Sequence, residues 1–302
     1  MNVALVLNEG ARAFTTPGEC LDVDALTEEM RRGGFAVQPR ITSSRELTQV
    51  LQEVATQRPD VIFVGGGDGS ISTAAHVLAG TGLPLGVLPL GTLNHFARDL
   101  GVPLDWREAI AALAAGATRP IDVGEVNGRI FINNCSLGSY AEAVRKRDLL
   151  RGMHGAKKWW AMTLATIAVF RRLRRIRVRV VADGKTLSLR SPFVVIANNR
   201  YSGRLFDHSL RPRLDEGRLW LYSTPAARHA TILRVFWQAL RRKLHEIDGL
   251  DTTSAVRLTL QHDYSSQPVA IDGELASLEP PLAFAIRPRA LHVIVPQQNN
   301  SR

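Results

Sequence analysis

Residues 61–70 read Val-Ile-Phe-Val-Gly-Gly-Gly-Asp-Gly-Ser, an apolar run ending in a glycine-rich turn that opens onto a helix-like stretch at 71–79. That order confines the segment to a strand, a tight turn and a helix, and the turn is built for phosphate. Gly65, Gly66 and Gly67 let backbone N–H groups approach an anion without Cβ obstruction, while the helix offers its unsatisfied N–H groups and positive dipole end to the same point. Asp68 is the unusual member. A carboxylate beside a phosphate is repelled unless a metal or a hydrogen-bonding role accounts for it, so the turn points to chemistry on a magnesium nucleotide. An ordinary strand-to-helix turn is the competing reading, and it would win for an isolated glycine pair.

The first 120 residues alternate apolar runs at 3–7, 36–41, 61–64 and 85–88 with helical patterns at 21–32, 44–57, 70–79 and 93–100. This alternation predicts a Rossmann-like parallel sheet with helices on both faces. Ligands of such sheets sit beyond the carboxyl ends of the strands, where Asn8, Thr42, the Gly65-to-Ser70 turn and residues 89–94 fall. After Arg119 and Pro120 the texture becomes β-rich, with runs at 121–126, 129–133, 176–182, 185–189, 193–197, 219–223, 255–261, 269–271 and 291–295. Asp183-Gly184 between two of them is a strong hairpin signal. The second half therefore reads as a mainly antiparallel β-sandwich, interrupted by helices at 157–175 and 228–247, with a frayed tail at 297–302. The expected division is an α/β domain over 1–128 and a β-sandwich domain over 129–302, whose last strand can pack back on the first.

A chain of 302 residues is long enough for two cores. Hydrophobic residues at 45% and charged residues at 22% exclude a disordered chain. Cys20 and Cys135 lack metal-ligand spacing, which leaves no zinc site or disulfide framework and fits a reducing cytoplasm. No secretory signal is read at the N-terminus, and the longest apolar stretch, 159–170, is well short of the roughly 20 residues that cross a bilayer. The net charge of +10 calls for a polyanionic neighbour: nucleic acid, an anionic membrane surface or phosphorylated ligands.

Residues 88–94, Leu-Pro-Leu-Gly-Thr-Leu-Asn, repeat the geometry of the first turn. Thr92 offers a hydroxyl and Gly91 an approachable backbone, both suited to phosphate oxygens. Together with Ile271-Asp272-Gly273-Glu274, these turns resemble the diacylglycerol kinase catalytic family, especially the soluble bacterial lipid kinases of the YegS and DgkB kind. The resemblance also takes in Asn8, residues 88–103, 121–128 and 132–138, and the acidic turn Asp215-Glu216-Gly217. It implies an N-terminal nucleotide domain, a C-terminal β-sandwich carrying the lipid site, and ATP with Mg²⁺ at their interface.

Carried over position by position, the resemblance makes Thr42, Gly66, Gly67, Asp68, Gly69, Ser70, Gly91 and Thr92 the nucleotide-contacting residues, with Asn8 and Asn94 supporting. It gives Glu274 the proton-acceptor role, with Asp272 beside it and Asp68 in the catalytic set, and it makes Asp215 and Glu216 the metal turn. Chemistry agrees about Glu274, because a primary alcohol is a poor nucleophile near neutral pH and needs a positioned base. Three positions depart from the family pattern: Ser70 replaces a threonine, His95 replaces an acid, and no proline follows Asn8 closely. In the metal turn Glu216 stands where an Asp-Gly is more usual.

Residues 157–179 set Trp159, Trp160 and Phe170 among Lys157, Lys158, Arg171, Arg172, Arg177 and Arg179; residues 228–243 have a similar composition. Tryptophans framed by basic residues suit a membrane interface, although aromatic stripes are more often core. The expected enzyme is thus an ATP-dependent lipid kinase acting on a diacylglycerol-like hydroxyl, cytoplasmic or peripheral at the inner face of the membrane. A free sandwich edge makes a homodimer a candidate assembly. An NAD kinase or a 6-phosphofructokinase-like sugar kinase is the alternative, since both share GGDG turns; an inactive nucleotide sensor at the membrane surface is the second. Nucleic-acid binding is not expected, for no helix-turn-helix, zinc-finger or RNP pattern occurs.

Overall fold

The structure is a computed structural model that describes residues 2–15, 21–138, 176–201, 211–223, 251–261 and 267–297. The helices expected at 157–175 and 228–247 lie outside the described residues, as do residues 298–302 of the tail. The chain forms two compact units, Met1–Val123 with Arg287–Arg302, and Gly124–Ile286.

In the first unit, strands β1 (Asn2–Asn8), β2 (Ala36–Thr42), β3 (Val61–Gly66) and β4 (Pro84–Pro89) pair in parallel in the order β2-β1-β3-β4. Every residue of β3 is buried, the pattern of a strand covered on both faces. Pro39 interrupts β2 without cost to the ladder because, among the described residues, β2 is the edge strand and pairs only with β1. The helices associate in pairs: α3 (Leu47–Thr56) with α4 (Asp68–Leu78), and α2 (Val23–Arg32) with α6 (Trp106–Ala114). The short helices α1 (Arg12–Thr15) and α5 (His95–Asp99) follow β1 and β4. Phe63 on β3 meets Phe35 edge-to-face at 4.9 Å between ring centroids.

The second unit is a β-sandwich. One antiparallel sheet runs β12-β11-β10-β7-β14-β15, comprising β7 (Asn134–Gly138), β10 (Phe193–Asn198), β11 (Leu219–Ser223), β12 (Asp251–Ala255), β14 (Gln267–Ile271) and β15 (Glu274–Leu278). The other contains β8 (Ile176–Ala182), β9 (Lys185–Ser191) and β13 (Arg257–Gln261), with β6 (Arg129–Phe131) paired to the end of β5 (Ala117–Val126). Alternate residues of both sheets, among them Leu137, Val178, Ile196, Leu221, Leu258, Val269 and Phe284, fill one buried core. The final strand β16 (Leu282–Val295) is shared: Leu282 to Ala285 pair with β13, and His292 and Val293 pair in parallel with β4. The fold is a parallel α/β unit and a mainly antiparallel sandwich, matching the expected class.

Strands β7, β12 and β15 and helix α6 carry no expectation from the sequence, and β16 is 14 residues long where the apolar pattern marks only 291–295 as strand. Arg177 and Arg179, grouped by composition with the tryptophan-rich stretch, instead occupy alternate exposed positions of β8, with Arg177 directly opposite Arg190 of β9.

Candidate active site

The order β2-β1-β3-β4 reverses direction between β1 and β3, and the crevice of such a sheet lies at that point, beyond the strand carboxyl ends. Asn8 ends β1 there and is buried. Its Nδ2 donates to the hydroxyls of Ser70 at 2.8 Å and Ser44 at 3.0 Å, and its Oδ1 accepts the Gly10 N–H at 3.0 Å. One side chain therefore ties three loops at the crevice. Thr42, also buried, ends β2, and its carbonyl accepts the Glu9 N–H. A cavity of about 760 Å³ beside them is lined by Glu9, Gly10, Ser43, Ser44, Arg45 and Glu46, within the size range of ligand pockets.

The two glycine turns meet backbone to backbone. A Cβ on Gly66 would fall 2.5 Å from the Ser70 side chain, and one on Gly91 would fall 2.4 Å from the Gly67 Cα. Leu90 N–H closes the approach by donating to the Gly66 carbonyl. Helices α2 and α6 are capped by Asp22 and Asp105, whose carboxylates accept first-turn N–H groups. Helix α4 starts at Gly67 with no side-chain cap, so its first-turn N–H groups, those of Gly69 and Ser70 among them, remain available to an anion. A group that fits this cradle is a phosphate chain. Asp68 stands beside it, half-buried, with Oδ1 receiving the Phe96 N–H at 3.4 Å.

Asn94 has a local task. In the left-handed conformation, with φ at 51°, it accepts the Gly91 N–H and donates to the carbonyls of Pro89 and Gly91, so it shapes the turn from within. Thr92 is left exposed in that turn, and His95 opens α5, also exposed.

In the second unit, Asp272 and Gly273 form the β14–β15 turn with φ of 47° and 83°, a type I′ geometry, and Glu274 begins β15 in an exposed position. The Asp272 carboxylate is committed: it accepts backbone N–H groups of Ile132 at 2.9 Å, Asn133 at 2.8 Å and Asn134 at 3.1 Å, while the Asp272 N–H donates to the Asn134 carbonyl. Asp272 thus anchors the turn, and Glu274 stands at the exposed start of the strand that follows it. Cys135, next along β7, is fully buried, and its thiol is pushed far up by burial and further by the Asp272 charge, which makes it inert.

Glu216 is also engaged, its Oε2 accepting from the Arg200 N–H at 3.2 Å and the Trp220 indole at 3.0 Å. Asp215 pairs with Arg213 at 3.1 Å. Among the described residues no group of three or more His, Cys, Asp or Glu side chains lies together. Sequence reasoning assigns nothing to Ser44, Asn198 or Arg211. The adjacent asparagines at 133–134 and 198–199 are the available signal, because asparagine serves turns and tolerates positive φ, which Asn199 adopts at 65°.

Two glycine turns that meet beside an uncapped helix start, at the carboxyl ends of a parallel sheet, are the form of a phosphate-handling protein. Residues 15–126 match the diacylglycerol kinase catalytic domain, and residues 133–295 match the YegS C-terminal NAD kinase beta sandwich-like domain. The chain is 28% identical over 276 residues to a diacylglycerol kinase of Bacillus subtilis (strain 168), covering 90% of this chain and 89% of that protein. It is 31% identical over 287 residues to a "Probable lipid kinase YegS-like" of Pseudomonas syringae pv. syringae (strain B728a), covering 91% and 89%. A crystal structure of a diacylglycerol kinase from Bacillus anthracis str. Sterne shares the fold, with a TM-score of 0.71 and 20% identity over 98% of this chain and 97% of that one. The chain belongs to the diacylglycerol kinase catalytic family, in the branch with a YegS-type C-terminal domain. It is an ATP-using lipid kinase.

Proposed function

We propose that the enzyme transfers the γ-phosphoryl group of Mg-ATP to the hydroxyl of a diacylglycerol or a closely related lipid. The observation that supports this most directly is the contact of Gly67 with Gly91 beside the uncapped start of α4, which gives one triphosphate two backbone cradles. Gly66, Gly67, Gly69, Ser70, Gly91 and Thr92 then hold phosphate oxygens, Thr42 and Asn8 shape the nucleotide side, and Asn94 keeps the second turn in form. Bound Mg²⁺ neutralises charge building on the phosphoryl oxygens. Asp68 and the Asp215-Glu216 turn are the carboxylates proposed for it; in that turn Asp215 pairs with Arg213 and the Glu216 Oε2 accepts two N–H donors.

In this reading the Glu274 carboxylate takes the proton of the lipid hydroxyl as its oxygen bonds to phosphorus and the bond to the bridging β–γ oxygen breaks, yielding ADP and a phospholipid. Asp272 holds the hairpin that carries Glu274. The first unit is the nucleotide domain and the second the lipid domain. A bilayer-borne substrate calls for peripheral contact at the inner membrane face, and the basic, tryptophan-bearing segments 157–175 and 228–243 are the proposed anchors; among the described residues no helix is long and apolar enough to cross a membrane. Edge strands β12 and β15 give the corresponding route to a homodimer.

The test is to incubate the purified protein with labelled ATP, Mg²⁺ and a cellular lipid extract. Label in a lipid with a newly phosphorylated hydroxyl supports the reading and names the acceptor. Label found only in NADP or a sugar phosphate, when NAD or sugars are supplied, rejects it.

A further inference from the structure

The segment Ile132 to Asn134, whose N–H groups hold the Asp272 carboxylate, is gripped just as fully from its carbonyl side. Arg211 is 2% exposed, and its Nη1 donates to the carbonyls of Ile132 and, at 2.9 Å, of Asn198. Its Nη2 donates to the Asn133 Oδ1 at 3.1 Å. Asn198 adds a second donor to the Ile132 carbonyl at 3.0 Å, and its own N–H donates to the Asn133 carbonyl. The guanidinium also lies 6.0 Å from the Tyr201 ring centre, and the Tyr201 hydroxyl receives the Asn134 amide at 3.0 Å. A guanidinium on the Ile132 carbonyl and the Asn133 side chain, and a carboxylate on the N–H groups of residues 132–134, thus bracket one short segment from opposite ends of its peptide dipoles, each strengthening the hydrogen bonds of the other.

We propose that Arg211 is a positioning residue for phosphoryl transfer: through residues 132–134 it fixes Asp272, and through Asp272 the hairpin that presents Glu274. This rests on the reading of Glu274 as the proton acceptor. Two guanidinium nitrogens divide the three acceptors, Nη1 serving the Ile132 and Asn198 carbonyls and Nη2 the Asn133 Oδ1, and a lysine ammonium, with one nitrogen, cannot serve them with the same geometry. Burial of the group explains why a guanidinium, weakly hydrated and always charged, occupies the site. No motif spacing points to Arg211, which is 61 residues from Asp272 in sequence and meets its anchor only in the folded sandwich.

The test uses Arg211→Lys in the full chain, with labelled ATP, Mg²⁺ and detergent-dispersed lipid extract as acceptor, alongside Asp272→Asn and the double variant. A reacting group displaced by about 1 Å costs on the order of 100-fold, so Arg211→Lys is expected to lower kcat by about 10- to 100-fold and to leave KM for ATP within about twofold. Because both residues act through one segment, the double variant should be no slower than the slower single variant. Hydrogen exchange of the Asn133 and Asn134 amides should also quicken in Arg211→Lys. Unchanged kcat, unchanged exchange, or rate losses that multiply in the double variant would each overturn the proposal. Should Arg211→Lys not fold, Asn133→Ala, which removes one acceptor of the fork, decides: a kcat about fivefold lower at constant KM supports it, and an unchanged kcat rejects it. Glu274→Gln is measured in parallel; full turnover there rejects the base assignment, while the exchange of residues 132–134 still reports the Arg211 grip.

Discussion

Gly67 and Gly91 touch through their backbones: a Cβ on Gly91 would stand 2.4 Å from the Gly67 Cα and 2.8 Å from the Asn94 Oδ1. Neither neighbour can yield, since one is backbone and the other closes the turn through the Gly91 N–H. Gly91→Ala should therefore spread the two phosphate turns, costing about 1–3 kcal/mol of stability and raising KM for ATP at least about tenfold. Thermal unfolding with and without ATP checks it: the parent should gain stability from the nucleotide, and the variant should gain far less at the same concentration.

Glu274 sits exposed at the start of β15 while Asp272 is held by three backbone N–H groups. Glu274→Gln removes a base and no phosphate ligand. Turnover should fall about 10²- to 10⁴-fold with KM for ATP within a few fold, as read by steady-state kinetics with the lipid extract. A parallel rise in KM for ATP would assign Glu274 to nucleotide binding instead.

Asn8 joins Ser44, Ser70 and Gly10 in a buried network. Asn8→Ala strands the Gly10 N–H and takes a donor from the Ser70 hydroxyl, so a loss of about 1–3 kcal/mol is expected in urea denaturation. Nucleotide affinity should fall with it, because the β3–α4 turn loses its tie to β1.

Asp183, in the β8–β9 hairpin with φ at 45°, is held below the usual carboxylate range by the Arg257 N–H first, then by the Val256 N–H and the charges of Arg218 and Arg257. A carboxyl depressed in the folded state stabilises it at neutral pH and loses that contribution as pH falls through the folded value. Asp183→Asn should therefore unfold at lower denaturant concentration than the parent near neutral pH, the gap closing as acid takes the carboxyl through its lowered folded-state value. The group is exposed, so the gap should be small. A gap that widens on acidification would refute the assignment.

Cys135 should not react with iodoacetamide at about pH 8 in the native protein, because burial and the Asp272 charge suppress its thiolate. Alkylation mapped by peptide mass should find it modified only after denaturation. Rapid native labelling would show that β7 opens readily.

Elements with strong local signals are legible in the sequence. The apolar run ahead of the glycine turn is β3, and the runs at 176–182 and 219–223 are β8 and β11 with the same bounds. Asp183-Gly184 adopts the paired positive φ values that its hairpin requires. Strands β7 (Asn-Cys-Ser-Leu-Gly) and β12 (Asp-Thr-Thr-Ser-Ala) escape because small and polar residues carry no period of two; their pairing with β10 and β11 makes them strands. β16 is legible only over 291–295 because Arg287-Pro288-Arg289 interrupts its apolar pattern. Helix α6 does carry a local signal, Asp105 capping an alanine-rich run, but that run is short and its buried stripe is only Ala109, Ile110 and Leu113.

The sequence by itself determined the family, the α/β-then-β order and the glycine turns, because each is written in residues close together along the chain, where steric freedom and hydrophobic period act locally. Only the tertiary structure made Asp272 the anchor of its hairpin by bringing it to residues 132–134, tied Asn8 to Ser70, and brought Arg211 to Ile132 across 79 residues of chain. Those roles depend on which partner occupies each hydrogen bond, and partners distant in sequence are chosen by packing, not by spacing.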